Sequence, residues 1–473
     1  MHSHKVGDGI KMSEIREECG VFGMYKPDRT KNDTHCATST YLGLMALQHR
    51  GQEACGIAVN RERAIYFHKD VGLVNEVFDD EAISKLTGSI SVGHVRYSTR
   101  GTGGKENAQP LVLNYAKGQL AIVHNGNITN YAKLKREYEL NGAIYQTTTD
   151  TEIIAHAIAR HRLSAGSVER ALLEAMKILE GAYSLIVMSP DKLIAARDPH
   201  GFRPLCYGKR EDGCHVFASE TCALDVAGAK FIRDIEPGEI VTIKDDTLTS
   251  ITELCGTKPE KLCIFEHIYF ARPDSFVGGQ FVNEARRITG RLLAKRAPVE
   301  ADIVIGVPDS GIPSAIGYAE ESKIPYQEGF GKNRYAGRTF IRPDQLSREA
   351  AVRLKLNPLR QYIEGKRVVL VDDSIVRGTT MKLIIRMLRI SGAKEVHIRI
   401  SSPPFLHPCY YGTDVPNKSQ LISAEHSTDE VCAHIGADSL AFLELSDLSK
   451  IAPHVKGFCD ACFTGKYAVR PQE

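Results

Sequence analysis

The stretch that most constrains how this chain folds is VVLVDDSIVRGTT, residues 368–380. Its apolar start reads as a strand buried on both faces, and that strand delivers Asp372 and Asp373 to its carboxyl end. A short loop with a glycine and hydroxyls then leads into a helix. Backbone N–H groups at Arg377, Gly378, Thr379 and Thr380, with the helix dipole behind them, suit a dianionic phosphate. The hydroxyls of Ser374, Thr379 and Thr380 add donors, and Gly378 lets the backbone approach closely. Two adjacent carboxylates ahead of such a loop can hold the cis-diol of a ribose and help retain Mg²⁺. An isolated Asp-Asp pair would mean only a solvated acidic turn; the complete strand–carboxylate–loop–helix string is far more specific.

The surrounding half alternates as an α/β unit. Residues 301–307 read as a buried strand, 313–321 as helix, 367–371 as strand, 379–390 as helix and 395–400 as strand. That order predicts a mostly parallel sheet with ligands at the carboxyl ends of its strands. The strand at 301–307 ends in PDSG, where Ser310 offers an oxygen ligand to Mg²⁺. Residues 331–341, GKNRYAGRTFI, form a glycine-punctuated basic loop with Lys332, Arg334 and Arg338. Alone it would be an exposed positive loop. Together these strings resemble the type I phosphoribosyltransferases, whose substrate is phosphoribosyl pyrophosphate. The resemblance implies that Lys332 and its loop close over pyrophosphate, excluding water and neutralising leaving-group charge.

At 473 residues the chain exceeds what one core usually supports, so a second domain is expected in the first half. There, strand-like runs at 90–94, 120–124, 183–188 and 238–243 surround two helical patterns, 150–161 and 168–180. Thr149 or Asp150 can cap the first helix, and the second stops at Gly181. Segregated helices and strands suggest layers. The chain turns polar between Ile243 and Leu262, which places the domain boundary there, near residue 250.

Cys19 stands beside a glycine at the start of a strand, in ECGVFGMY. Alone it would be buried filler. Its companions, in order, are HRGQEACGIA (49–58), GHVRYSTRG (93–101), HNGNITN (124–130), TTDTE (148–152) and RDPHGFRPL (197–205). Together they resemble the class II glutamine amidotransferases, N-terminal-nucleophile hydrolases with an αββα sandwich, over residues 19–243. The resemblance implies Cys19 as nucleophile, Asn125 and Gly126 as the oxyanion hole, Arg96 on the α-carboxylate of glutamine and Asp150 on its α-ammonium. Without it, each is a polar residue near a turn. Arg100, where the family more often carries a small residue, is a departure. A free α-amino group titrates at roughly 7.7–8.0 and can act as the base for the thiol. With Glu18 attached, the nitrogen of Cys19 is an amide, so residues 1–18 are expected to be a propeptide removed before use; Met12 is an alternative start.

Both halves together resemble the amidophosphoribosyltransferase family, with an N-terminal-nucleophile domain at 19–250 and a phosphoribosyltransferase domain at 251–473. The resemblance implies glutamine and phosphoribosyl pyrophosphate as substrates, a homotetramer and inhibition by purine nucleotides. A sensor that only binds phosphoribosyl pyrophosphate is the rival; the intact glutaminase strings and the absence of a DNA-binding segment argue against it. Sixty Lys+Arg against 58 Asp+Glu, a net charge of +2, give no electrostatic reason for nucleic acid or an anionic membrane as partner. No apolar run is long enough to span a bilayer and the first 18 residues lack a secretory pattern, so a cytoplasmic location is expected.

Twelve cysteines in that compartment point away from disulfides. Cys36, Cys55, Cys206, Cys214, Cys222, Cys255 and Cys432 read as packing residues. Cys459 and Cys462 form a CxxC, and Cys263 and Cys409 complete four thiolates that suit a [4Fe–4S] cluster or a Cys₄ zinc site equally well by spacing. The family resemblance favours the cluster, because one branch carries a cysteine at each of these places. A cluster there would pin the chain's end to the domain junction.

Overall fold

The computed structural model describes residues 19–28, 33–97, 104–333, 355–413, 415 and 417–470. Met12, Glu18, Arg100, Arg334 and Arg338 lie outside the described residues.

The first half builds two antiparallel sheets that lie face to face. One runs in the order Ala229–Asp234, Cys206–Arg210, His215–Ala218, Gly20–Tyr25, Ile90–Arg96, Ala54–Arg61, Ala64–Val71. The other runs Thr247–Ile251, Ile240–Lys244, Lys192–Arg197, Gly181–Ser189, Gly118–Ile128, Leu111–Tyr115. Alternation along each strand sends one set of side chains inward: Val21, Tyr25, Ile90 and Val92 meet Val123, Ile186, Met188 and Leu193 in a single core. The alternate set of the first sheet, including Phe22, Met24 and Val95, packs against Leu44 of helix His35–Ala46 and Leu224 of helix Thr221–Val226. Ile122, Leu185 and Val187 of the second sheet pack under helices Thr151–His161 and Val168–Met176. Three apolar layers therefore separate four structural ones, an αββα sandwich.

Two expectations change. The helix at 168–180 ends at Met176, because Glu180 already belongs to the neighbouring strand entry: its carbonyl accepts Thr129 N–H at 2.8 Å and its N–H donates to Asn130 at 3.1 Å. The polar stretch after Ile243 is not a linker throughout. Ile240–Lys244 and Thr247–Ile251 form a hairpin whose turn residues, Asp245 and Asp246, both have positive φ (49° and 59°). Two central residues of positive φ match the right-handed twist of a hairpin, and aspartate tolerates that conformation. The stretch is polar because it is an edge strand.

In the second half, Ile303–Gly306, Arg367–Asp372, Glu395–Ile400 and Ser439–Phe442 pair in parallel in that order. A parallel bridge from Val304 to Tyr326 flanks the first of them on its other side. Chain order thus reverses between Ile303–Gly306 and Arg367–Asp372, and a ligand crevice belongs beyond the carboxyl ends of those two strands. Helices Val282–Arg296 and Gly311–Ser322 help form the core on one face, and Thr379–Ile390 with Thr428–Ile435 on the other. Near its end the chain returns to the junction, where Leu262–Cys263 pairs in parallel with Phe458–Cys459.

Two candidate half-sites and the turn between them

Cys19 leads into strand Gly20–Tyr25, is 8% exposed, and donates its thiol hydrogen to the Tyr97 carbonyl at 3.5 Å. Gly20 pairs with Val95, which brings Cys19 beside Arg96, the buried last residue of its strand. His94 donates from Nε2 to the His124 carbonyl at 3.0 Å and so ties the strand of Arg96 to the strand of Asn125. Asn125 is buried, and neither its amide nitrogen nor its amide oxygen has a hydrogen-bond partner. Leaving such groups unpaired costs about 1–3 kcal/mol each, a cost repaid when a ligand supplies the missing charge. Gly126 beside it has φ +143°, and a Cβ there would sit 2.0 Å from the Ala182 carbonyl oxygen, so only glycine fits. Asp150 occupies the cap position of helix Thr151–His161 without capping it: Oδ2 accepts Ile128 N–H at 2.8 Å, and Oδ1 lies 3.7 Å from His124 Nδ1.

The turn at 48–52 connects this site to the second half. Gly51 lies so close to the Arg96 strand that a Cβ would come within 2.6 Å of Arg96 N. Arg50, next to it, is 1% exposed and donates from Nε to the Cys19 carbonyl at 3.1 Å. Its remaining nitrogens make a fork on Glu266 (2.9 and 2.8 Å), and Nη1 also reaches Glu220 at 2.7 Å. Burial pushes the Glu220 carboxyl up, but His49, Arg50 and Ser275 outweigh it and hold it well below the usual range. Glu266 belongs to the second half and opens the helical turn Glu266–Phe270.

That turn leads directly to a cavity of about 380 Å³ at the predicted crevice. Tyr269, Arg272 and Arg286 line one wall; Asp309, Ser310 and Lys332 another; Asp372, Asp373, Ser374, Gly378 and Thr380 the floor. His49 and Gln52, from the first half, complete it. Asp373 is buried and accepts the hydroxyls of Ser310 (2.5 Å) and Ser374. Burial pushes its carboxyl up, while those two hydroxyls and the charge of Arg286 pull the other way. Arg286 donates to the carbonyls of His267, Tyr269 and Ala271 at 2.7–2.9 Å, and burial lowers it to about 10. Lys332 forms an ion pair with Asp309 at the mouth. Arg377 and Thr379 do not line the cavity; the Arg377 guanidinium turns to Gln420.

Cys263, Cys409, Cys459 and Cys462 meet around a void of about 20 Å³ with Phe202, Arg203 and Tyr411. All four donors are thiols, a set that fits a [4Fe–4S] cluster or a Cys₄ zinc site. Tyr411 N–H donates to Cys409 Sγ at 3.4 Å. Burial pushes the Cys459 thiol up to about 12 and the Cys462 thiol well above its usual range. Cys263 N–H also donates to the Phe202 carbonyl at 3.0 Å, so the group joins the chain's end, the junction and the first half.

Sequence reasoning assigned no role to Arg50, Glu220, Glu266 or Arg286. Arg50 lies within HRGQEACGIA, but its fork partner Glu266 is 216 positions away and nothing local marks the pair.

Residues 94–226 match the family model of the glutamine amidotransferase domain and residues 278–418 that of the phosphoribosyl transferase domain. The chloroplastic amidophosphoribosyltransferase 2 of Arabidopsis thaliana is 48% identical over 460 residues, covering 97% of this chain and 80% of that protein. The amidophosphoribosyltransferase of Methanocaldococcus jannaschii is 47% identical over 463 residues, 95% of this chain and 97% of its own. A solved structure of "the allosteric regulatory enzyme of purine biosynthesis" superposes with a TM-score of 0.89 at 45% identity, covering 96% of this chain and 97% of that one. The glutamine phosphoribosylpyrophosphate amidotransferase from B. subtilis, complexed with ADP and GMP, gives 0.88 at 45% identity, covering 96% and 98%.

Proposed function

This chain belongs to the amidophosphoribosyltransferase family, and on that premise we propose how its residues divide the reaction. The enzyme makes 5-phosphoribosylamine from phosphoribosyl pyrophosphate and glutamine, releasing glutamate and pyrophosphate, at the first step of purine biosynthesis.

Once residues 1–18 are removed, the α-amino group of Cys19 takes the proton of its own thiol, and the sulfur attacks the side-chain carbonyl of glutamine. Asn125 Nδ2 and Gly126 N–H receive the developing oxyanion, which is the charge the orphaned amide awaits. Arg96 pairs with the α-carboxylate and Asp150 with the α-ammonium. Ammonia leaves, and water hydrolyses the glutamyl thioester. In the second half, Asp372 and Asp373 hold the ribose hydroxyls. Ser374 and the N–H groups of Arg377, Gly378, Thr379 and Thr380 hold the 5′-phosphate, and Lys332 faces pyrophosphate. Ser310, Asp372 and Asp373 are hard oxygen donors that line the cavity; they would hold Mg²⁺, which would neutralise charge on the leaving pyrophosphate. The four cysteines, gathered around one void, would hold a [4Fe–4S] cluster in a structural role, with Zn²⁺ as the alternative for the same four thiols. A division at 19–250 and 251–473 fits the hairpin ending at Ile251. Purine-nucleotide inhibition is supported by the B. subtilis relative complexed with ADP and GMP. A homotetramer and a cytoplasmic location complete the reading; no helix among the described residues is long and apolar enough to cross a membrane.

One observation carries this division. Arg50 holds the Cys19 carbonyl while its neighbours His49 and Gln52 line the phosphoribosyl cavity, so a single turn separates where ammonia is released from where it is used. The test is Cys19→Ala. Glutamine-dependent synthesis should fall by about 10⁴-fold or more while ammonia-dependent synthesis persists. Loss of both activities together would contradict it.

A further inference from the structure

Cys214 stands in the tight hairpin between strands Cys206–Arg210 and His215–Ala218, and the turn carries Asp212 two residues before it. His35, the first residue of helix His35–Ala46, comes up against this turn. Tyr25 pairs with His215, so the hairpin lies at the far end of the strand whose near end is Cys19, about 20 Å away at 3.4 Å per residue.

We propose that His35, Asp212 and Cys214, with Cys36 beside them, form a site for a zinc-class divalent cation that clips the first helix to this hairpin. Ligand atoms of the first three lie within 4.8 Å of one another. Nitrogen, oxygen and thiol sulfur together are the donor set of zinc and its borderline neighbours, and a poor one for Mg²⁺ or Ca²⁺. His35 Nε2 is shielded from solvent and makes no hydrogen bond; it lies 3.4 Å from Asp212 Oδ2. Asp212 is fixed by two donors, Cys214 N–H on Oδ1 at 3.1 Å and Arg210 Nε–H at 3.2 Å on Oδ2, the oxygen that faces His35. Lys26, a further cation among the described residues, is paired with Asp33 at 2.6 Å. Cys36 follows His35 on the helix and packs in the same core as Cys214. The helix has no side-chain cap at Thr34, and a cation held at His35 would fix its first turn to the sheet.

The test uses anaerobically purified protein titrated with Zn²⁺ and, separately, Co²⁺, comparing wild type with His35→Ala and Cys214→Ser. The difference between wild type and variants does not depend on what the four cysteines near the junction hold. Wild type should take up one more Zn²⁺ per chain than either variant, with affinity at least about ten-fold higher. Its Co²⁺ form should show a thiolate-to-cobalt charge-transfer band that Cys214→Ser loses. Both variants should keep the wild-type iron content and ammonia-dependent activity, which establishes that they fold. Equal Zn²⁺ uptake by all three proteins would overturn the proposal. If Cys214→Ser folds poorly, His35→Ala, whose side chain is 36% exposed, decides alone.

Discussion

The two half-sites solve opposite problems. The proposed glutamine site is built on strands inside a sandwich: Cys19, Arg96 and Asn125 are all less than a tenth exposed, and Arg50, Glu220 and Glu266 form a buried charge network behind them. The cost of placing these groups before substrate arrives is visible in the unpaired amide of Asn125. The phosphoribosyl site is built on loops at the ends of parallel strands, around an open cavity, with Asp309 and Lys332 paired at its mouth. In the proposed reading a neutral amide is cut among buried, preplaced donors, whereas a polyanion with a bulky leaving group is met in an open cavity rich in carboxylates, hydroxyls and cations.

The comparison can be broken at three places. The largest effect is expected from Asp372→Asn, which should reduce synthesis about 10³-fold with glutamine and with ammonia alike, because both routes end at the ribose. Steady-state rates with each nitrogen donor check this, and a selective loss with glutamine would remove Asp372 from the second half-site. Asn125→Ala should cost about 10²-fold in glutamine hydrolysis and leave ammonia-dependent synthesis intact. An effect on both would mean that Asn125 braces the fold rather than the oxyanion. The smallest effect concerns acid. Burial holds His94 neutral, with its pKa lowered to about 3. Between about pH 6.5 and 3 the unfolded chain binds a proton that the folded chain refuses, so stability falls as pH drops, by about 1.4 kcal/mol per unit for this one group. His94→Gln should flatten the pH dependence of the melting temperature in that window; an unchanged slope would show that His94 does not set it.

Much of this arrangement is legible in the sequence, and the gaps have physical reasons. Helix Thr379–Ile390 and strand Glu395–Ile400 appear at their expected bounds, because buried strands and amphipathic helices carry strong periodic signals. Ser310, Asp372, Asp373, Ser374, Gly378 and Thr380 come together at one cavity because strand ends in an open parallel sheet must. The hairpin at 240–251 was hidden, since an edge strand carries the polar residues of a linker. Asp150 reads as a cap from its position, yet its carboxylate serves Ile128. Hardest to see is the pairing of Arg50 with Glu266: buried ions need partners, but sequence does not say which. His49 and Gln52 likewise reach the cavity only because the two domains dock there.

That docking is the central claim, and an isotope experiment addresses it directly. Glutamine labelled with ¹⁵N in its amide is supplied with a large excess of unlabelled ammonium, and trapped phosphoribosylamine is analysed by mass spectrometry. If nitrogen passes across the turn at 48–52, the product carries the glutamine label almost undiluted, and Glu266→Gln, which leaves Arg50 without its buried fork, admits unlabelled nitrogen. Dilution of the wild-type product to the isotope ratio of the bulk ammonium would contradict the account.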